Sequence, residues 1–213
     1  MSTTGITGPR SGTARRRRAR RLPGVALALV LVPAPAAAQD LRAGAGIGAS
    51  LLVGDASDFL DGGLGVGGHV AVRIGDSPLL ARLDVGYRGL DADADGPSGE
   101  RAENTLIPLL VGLEAGVRLG PVEPYALLLG GGVANRRSSD AAAEEDGTSW
   151  AAAAGAGAGL RVWLGPAPVS LDLGARVLRV GDLTYARTTV SGGAFETGTA
   201  ILGLEGGITL RLR

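Results

Sequence analysis

The sequence predicts an all-β fold, an eight-stranded antiparallel up-and-down barrel that spans a membrane. Three observations predict it. Eight segments alternate large apolar residues with small or polar ones at a period of two. The connections between them run long, short, long, short. A leader with the marks of an export signal precedes them all. Sustained alternation of this kind argues for strands whose two faces meet different surroundings.

The leader reads "RRRRARRLPGVALALVLVPAPAAAQD": a basic start, a short apolar stretch, then small residues up to Ala38. That is the pattern of a secretory signal peptide. The apolar stretch is too short for a spanning helix of ~20 residues, and Pro33 and Pro35 interrupt it. Cleavage is expected after Ala38, which makes residues 1–38 the signal peptide and 39–213 the barrel domain. Of the 21 Arg residues, seven lie in the first 21 positions, where there is no acid. The remaining 14 Arg face 21 acids, so no basic patch for nucleic acid is left. The chain has no Cys, which excludes a disulfide framework and a thiolate metal site.

The eight segments follow in order. They are "LRAGAGIGASLLVG" (41–54), "LGVGGHVAVRIG" (64–75), "LLARLDVGYRGL" (79–90), "TLIPLLVGLEAGVRLG" (105–120), "YALLLGGGVANR" (125–136), "SWAAAAGAGAGLRVWLG" (149–165), "VSLDLGARVLRVG" (169–181) and "FETGTAILGLEGGITLRLR" (195–213). In the second, Leu64, Val66, Val70, Val72 and Ile74 oppose Gly65, Gly67, His69, Ala71 and Arg73. In the third, Leu79, Ala81, Leu83, Val85 and Tyr87 oppose Arg82, Asp84 and Arg88. In the fourth, Thr105, Ile107, Leu109, Val111, Leu113, Ala115, Val117 and Leu119 oppose Gly112, Glu114, Gly116 and Arg118. The sixth sets Leu160, Val162 and Leu164 against three glycines and Arg161. The seventh sets Val169, Leu171, Leu173 and Val177 against Asp172, Gly174 and Arg176. The eighth sets Leu202, Leu204, Ile208, Leu210 and Leu212 against Glu205, Thr209, Arg211 and Arg213.

One face is thus continuously apolar, and the other carries small residues with isolated charges. Short connections "DSP", "PVEP" and "PAP" alternate with long polar ones, "DASDFLDGG", "DADADGPSGERAEN", "RSSDAAAEEDGT" and "DLTYARTTVSGGA". Outer-membrane barrels have short turns on one side and long loops on the other. Segments of about 8–12 residues, tilted ~45°, cover the ~25 Å apolar band of such a barrel. The last strand must then pair with the first, because an open edge in lipid leaves backbone groups unpaired at several kcal/mol each. A soluble lipocalin-like barrel that binds an apolar ligand shows the same alternation with the apolar face turned inward, and stands as the alternative.

On these features, residues 41–213 resemble the small outer-membrane barrels of the OmpA/OmpX type. The resemblance implies residence in the outer membrane of a diderm bacterium, contact with its lipid and lipopolysaccharide, and insertion by the outer-membrane assembly machinery. Last strands in that superfamily tend to carry a polar residue, Gly two positions on, and hydrophobic residues five and seven on. Glu205, Gly207, Leu210 and Leu212 match that spacing. The chain departs from the family at its end, where Leu212 and Arg213 replace the usual aromatic residue. No OmpA-like soluble peptidoglycan-binding domain is expected after the last strand.

The inward set contains Arg73, Arg82, Asp84, Arg88, Glu114, Arg118, Arg161, Asp172, Arg176, Glu205 and Arg211. Eight strands leave a lumen about as wide as its side chains, so these charges are expected to pair and plug it; an ion path is the alternative. The other motifs carry less. "GLGVGG" (63–68) fits a dinucleotide fingerprint only formally, since it lies within a strand and opens no helix. "DADADG" (91–96) begins like a calcium loop, but Ala102 stands where the bidentate Glu belongs. His69, the single His, has no Ser or Asp partner at catalytic spacing, which disfavours a lipid-modifying enzyme. Pro108 removes a ladder donor from its strand, and a bulge is expected there. Tyr125 and Trp163 are expected in the short-turn aromatic girdle, Tyr87 and Trp150 in the long-loop one. The expectation is a monomeric, non-enzymatic barrel with no cofactor or metal, in a structural or surface-interaction role through acidic loops.

Overall fold

The computed structural model describes residues 40–54, 62–91, 102–139, 147–185 and 195–212. The signal-peptide expectation, most of the acidic loops and Arg213 lie outside them. Eight strands are present: β1 (Leu41–Val53), β2 (Gly63–Arg73), β3 (Leu79–Asp91), β4 (Ala102–Gly116), β5 (Val122–Ser139), β6 (Gly147–Trp163), β7 (Val169–Tyr185) and β8 (Phe195–Leu212). Each pairs antiparallel with its neighbours in sequence, and β8 returns to β1, so the sheet closes. All 13 residues of β1 pair with β8, from Leu41↔Leu212 to Val53↔Ala200.

The three short turns share one device. Ile74, Leu119 and Leu164 are each followed by a glycine in the left-handed region, Gly75 (φ 55°), Gly120 (φ 66°) and Gly165 (φ 61°). That conformation is costly for any residue with a Cβ. Pro78, Pro121 and Pro166 lie within the same turns, where no ladder donor is needed.

Several elements differ from the sequence reading, β4 among them, which runs Ala102–Gly116 where 105–120 was expected. β5 runs three residues further at each end, and β7 continues to Tyr185. The β7–β8 ladder crosses an irregularity between Val180 and Leu183, then resumes with Leu183↔Thr197 and Tyr185↔Phe195. "DLTYARTTVSGGA" is therefore part strand: hairpin pairing persists where the apolar alternation has ended. Pro108 makes no bulge. The β3–β4 register is the same on both sides of it, Val85↔Leu109 and Arg88↔Leu106, with the ladder simply interrupted between. Gly86 on β3 faces the Pro108 ring and leaves room for it.

The apolar parity faces outward: Leu64, Val111, Leu173 and Leu204 are all more than half exposed. This removes the soluble lipocalin-like alternative, which needs those residues inside. Tyr87 and Trp150 also face outward. Tyr125 and Trp163 do not. Both are buried in the lumen, so the short-turn girdle expected of them is absent. The reason is parity: Tyr125 shares the inward face of β5 with Glu123, and Trp163 shares that of β6 with Arg161.

The lumen has two halves. Towards the short turns its side chains are charged. Towards the long loops they are apolar: Leu52, Leu90, Leu106, Val133, Val180 and Ile201 belong to one buried cluster. The sequence reading described the inward face as small and charged throughout. Near their long-loop ends, however, the inward residues Leu106 and Leu110 of "TLIPLLVG" and Leu178 and Val180 of "RVLRV" are apolar, and they pack together.

Candidate functional site

The charged half of the lumen is built from strands that each contribute alternate side chains to one narrow space. At the short-turn mouth, Asp40 accepts from Arg42 at 3.0 Å and from Arg73 at 2.7 Å, and lies 3.0 Å from Arg211. Asp40 precedes β1. Partial burial opposes its charge, but hydrogen bonds from Arg42 and Arg73 outweigh that and hold its carboxyl at about 2. Beside it the Trp163 indole N–H donates to Glu123 at 2.9 Å. The guanidinium carbons of Arg211, Arg118 and Arg42 lie 4.5, 5.2 and 5.7 Å from the Trp163 ring centroid, within cation–π range.

Glu123 links the mouth to the next layer. Its Oε1 accepts from Arg42 at 2.5 Å and from Arg161 at 3.2 Å. Arg161 and Glu114 have no exposed surface at all. Arg161 donates to Glu114 at 2.9 Å and to Asp172 at 3.0 Å, and its guanidinium lies 4.7 Å from the Tyr125 ring centroid. Asp172 also accepts from the Tyr125 hydroxyl at 2.6 Å and from Thr209 at 3.2 Å. Arg82 bridges Glu114 (2.5 Å) and Asp84, which it grips with two nitrogens at 2.7 and 3.0 Å. Above these, Arg176 joins Asp84 at 3.5 Å to Glu205 at 2.5 Å. Arg88 donates to Glu205 and to Ser50 just below the apolar cluster.

Every carboxylate in this chain meets at least two cationic or hydroxyl donors. A bare buried charge would cost several kcal/mol; paired and hydrogen-bonded like this, the charges fill the bore. A cavity of about 70 Å³ remains, bordered by Gly65, Gly67, His69, Asp84, Arg176 and Thr209. It is roomy and polar enough to hold water. The His69 Nε2 is buried and has no hydrogen-bond partner among the described residues.

The structure joins Arg73, Arg82, Asp84, Arg88, Glu114, Arg161, Asp172, Arg176, Glu205 and Arg211 into one network of ion pairs. Arg118 is different. It lies beyond the end of β4, is exposed, and donates to the Gly120 carbonyl at 3.2 Å. The β4–β5 pairing continues past it, through Val117–Pro124 and Leu119–Val122, and its guanidinium lies at the lumen mouth against the Trp163 ring. Glu205 and Gly207 face inward on β8, while Leu210 and Leu212 face outward. Asp40, Arg42, Glu123, Tyr125 and Trp163 were missed. Arg42 alternates with Gly44, Gly46 and Gly48, which is the signal that would have found it. Glu123 sits between prolines in "PVEP", and that turn-like composition hides its place in β5.

Comparison with known proteins agrees with this architecture. The family model for the outer membrane protein beta-barrel domain matches residues 24–205. Neisserial surface protein A is similar in structure, with 18% identity, a TM-score of 0.55, and 81% of this chain and 97% of that one covered. The attachment invasion locus protein Ail of Yersinia pestis, solved with the heparin analogue sucrose octasulfate, has 12% identity, a TM-score of 0.51, and coverage of 82% and 99%. At these identities the two structures speak for the fold alone. No curated protein matches the sequence. The closed eight-stranded sheet, the outward apolar belt and the family match together establish that the chain belongs to the outer membrane protein beta-barrel domain family.

Proposed function

We propose that the protein is a closed, non-conducting outer-membrane barrel that holds its four long loops, three of them acidic, at the cell surface for structural or adhesive contacts and catalyses no reaction. One observation carries this reading: a paired charge network fills one half of the lumen and a buried, mainly apolar cluster occupies the other. Ions would have to break buried pairs and then cross a layer that is mainly apolar. The lone His69, whose Nε2 has no hydrogen-bond partner among the described residues, supports the absence of chemistry. Export through residues 1–38 and insertion guided by Glu205, Gly207, Leu210 and Leu212 complete the proposal. The test is conduction. Purified protein in planar bilayers is expected to give no steady open-channel current, and sustained selective conductance from the wild type would refute the reading.

A further inference from the structure

At the long-loop end the barrel is joined differently from the rest. Backbone pairing between β6 and β7 stops at Ala153↔Val180. Beyond it β7 passes the irregularity between Val180 and Leu183, and on its β6 side Thr184 meets side chains rather than a strand. The Thr184 N–H donates to Ser149 Oγ at 3.1 Å, and its carbonyl accepts from Ser149 at 3.3 Å and from the Asn135 amide at 2.7 Å. Asn135 also donates to Asn104 at 3.3 Å. Strand irregularities of this kind re-aim groups beside functional sites. These bonds use the Asn135 amide nitrogen and fix which way the amide lies, because its oxygen would not face the Thr184 carbonyl. The Oδ1 is left over. Asn135 has no exposed surface, and Oδ1 has no hydrogen-bond partner among the described residues. Buried acceptors are seldom left so. Two residues on, Arg137 takes the next inward position of β5, ~7 Å along the strand, in register with Asn104 and Gly147. Its guanidinium lies in the space where a side chain on Gly147 would begin. No acid pairs with it among the described residues, and its Nε is buried without a partner there. An orphan acceptor and an orphan donor thus stand on consecutive inward positions. Leu106, Val133 and Leu183 close the lumen beneath them as part of the apolar cluster, so a ligand approaches only from the long-loop end.

We infer that this end of β4, β5 and β6 binds an uncharged saccharide, one hydroxyl accepting from Arg137 and another donating to Asn135 Oδ1. A hydroxyl both donates and accepts, so a sugar meets the two unmet groups with one kind of atom. Charge selects against ionic ligands of either sign. Arg137 repels a cation. The seven residues that join β5 to β6 carry four acids, Asp140, Glu144, Glu145 and Asp146, which repel an anion. A neutral peptide is the other class with donors and acceptors together. Peptides held through their main chain add a strand to a sheet edge, and the closed barrel offers none. The frame is set before any ligand arrives, because Thr184 holds both Asn135 and Ser149; such pre-organisation lowers the cost of binding. The inference deepens the proposed surface role and rests on the long loops facing outward.

The experiment measures binding of the full folded protein, in micelles of a sugar-free detergent, by biolayer interferometry. The immobilised probes are neutral oligosaccharides ending in glucose, galactose or N-acetylglucosamine, a uronic-acid oligosaccharide, and a neutral Gly/Ser peptide. At least one neutral saccharide is expected to bind more tightly than the uronate and the peptide. Arg137→Ala is expected to weaken it about tenfold, as the loss of one charge-assisted hydrogen bond does, and Asn135→Ala to weaken it as well. Ser138→Ala, on the outward face between them, should change nothing. Heat-modifiable gel mobility checks that each variant remains a closed barrel, and if Asn135→Ala does not, Arg137→Ala decides alone. Failure of every neutral saccharide to bind, or wild-type affinity in Arg137→Ala with unchanged gel mobility, would overturn the site. Uronate or peptide binding as tightly as the neutral sugars would overturn the ligand assignment. Orientation is read separately: the chain has no Cys, so Ser138→Cys gives a single thiol, expected to react with an impermeant reagent on whole cells. Its failure to react would overturn the surface reading, while the micelle titration judges the site by itself.

Discussion

Replacing Glu114 with Gln tests the lumen network where it is densest. Glu114 has no exposed surface and accepts from Arg82 at 2.5 Å and from Arg161 at 2.9 Å. Gln keeps the volume but loses the charge, and its amide nitrogen would face a guanidinium. Both arginines keep other partners, Asp84 for Arg82 and Asp172 and Glu123 for Arg161. Breaking a buried pair by removing one partner costs ~3–5 kcal/mol, and charge-assisted hydrogen bonds are worth ~1.5–3 kcal/mol each. The remaining acids recover part of this, so a loss of about 3 kcal/mol is expected. Glu205→Gln is the comparison. Its side chain is one-third exposed, so solvent screens its pairs with Arg88 and Arg176, and about 1 kcal/mol is expected. The assay is equilibrium urea unfolding in lipid vesicles, followed by the boiled-versus-unboiled gel shift. If Glu114→Gln costs under 1 kcal/mol, or Glu205→Gln costs more than Glu114→Gln, the network does not hold the lumen together as argued.

Three further outcomes follow from the same geometry. Val111→Arg puts a charge on the lipid face and is expected to cost ~2–4 kcal/mol, measured by the same unfolding assay, while Gly67→Ser should be near neutral. Gly67 borders the cavity, and its nearest obstacle to an added Cβ is the Val85 carbonyl at 3.2 Å. Gly112→Ser, although lumen-facing, is expected to destabilise despite its small size, because the Leu128 carbonyl and the Leu129 side chain already occupy the space; its urea midpoint should fall below that of Gly67→Ser. Asp40 contributes to the acid limb of stability: its arginine neighbours hold its folded carboxyl at about 2, below the unfolded value of ~3.9, so its contribution is full above about pH 4 and is lost as pH falls towards 2. Asp40→Asn should remove on the order of 2 kcal/mol at neutral pH and flatten the stability profile across that window.

Much of the barrel was legible because lipid enforces the period of two without exceptions. Val111 and Leu173 could face nothing else, and the charges at Asp84 and Glu114 could face only inward. Legibility failed where a second constraint acts. Pro121 and Pro124 make "PVEP" look like a turn, yet Glu123 between them is wanted by Arg42, Arg161 and Trp163. Trp163 looks like an interfacial anchor by type, but parity and three neighbouring arginines draw it inside. The apolar upper lumen was hidden because a strand apolar on both faces has no alternation to read. Close approach of backbones, as at Gly112, leaves no mark in composition at all.

The seam between β1 and β8 has a consequence for how the chain is made. β1 is the first strand synthesised, and every one of its 13 residues waits for a partner in the last. Its other edge pairs with the adjacent β2, but for that whole interval the edge meant for β8 has no partner, the kind of edge that recruits other chains. Its composition answers the hazard. "LRAGAGIGA" is Gly and Ala at six of nine positions and carries a charge at Arg42, so it is a poor seed for premature sheet. The low intrinsic strand preference of β1 is thus a delay built into the sequence, and cohesion arrives only when β8 supplies it.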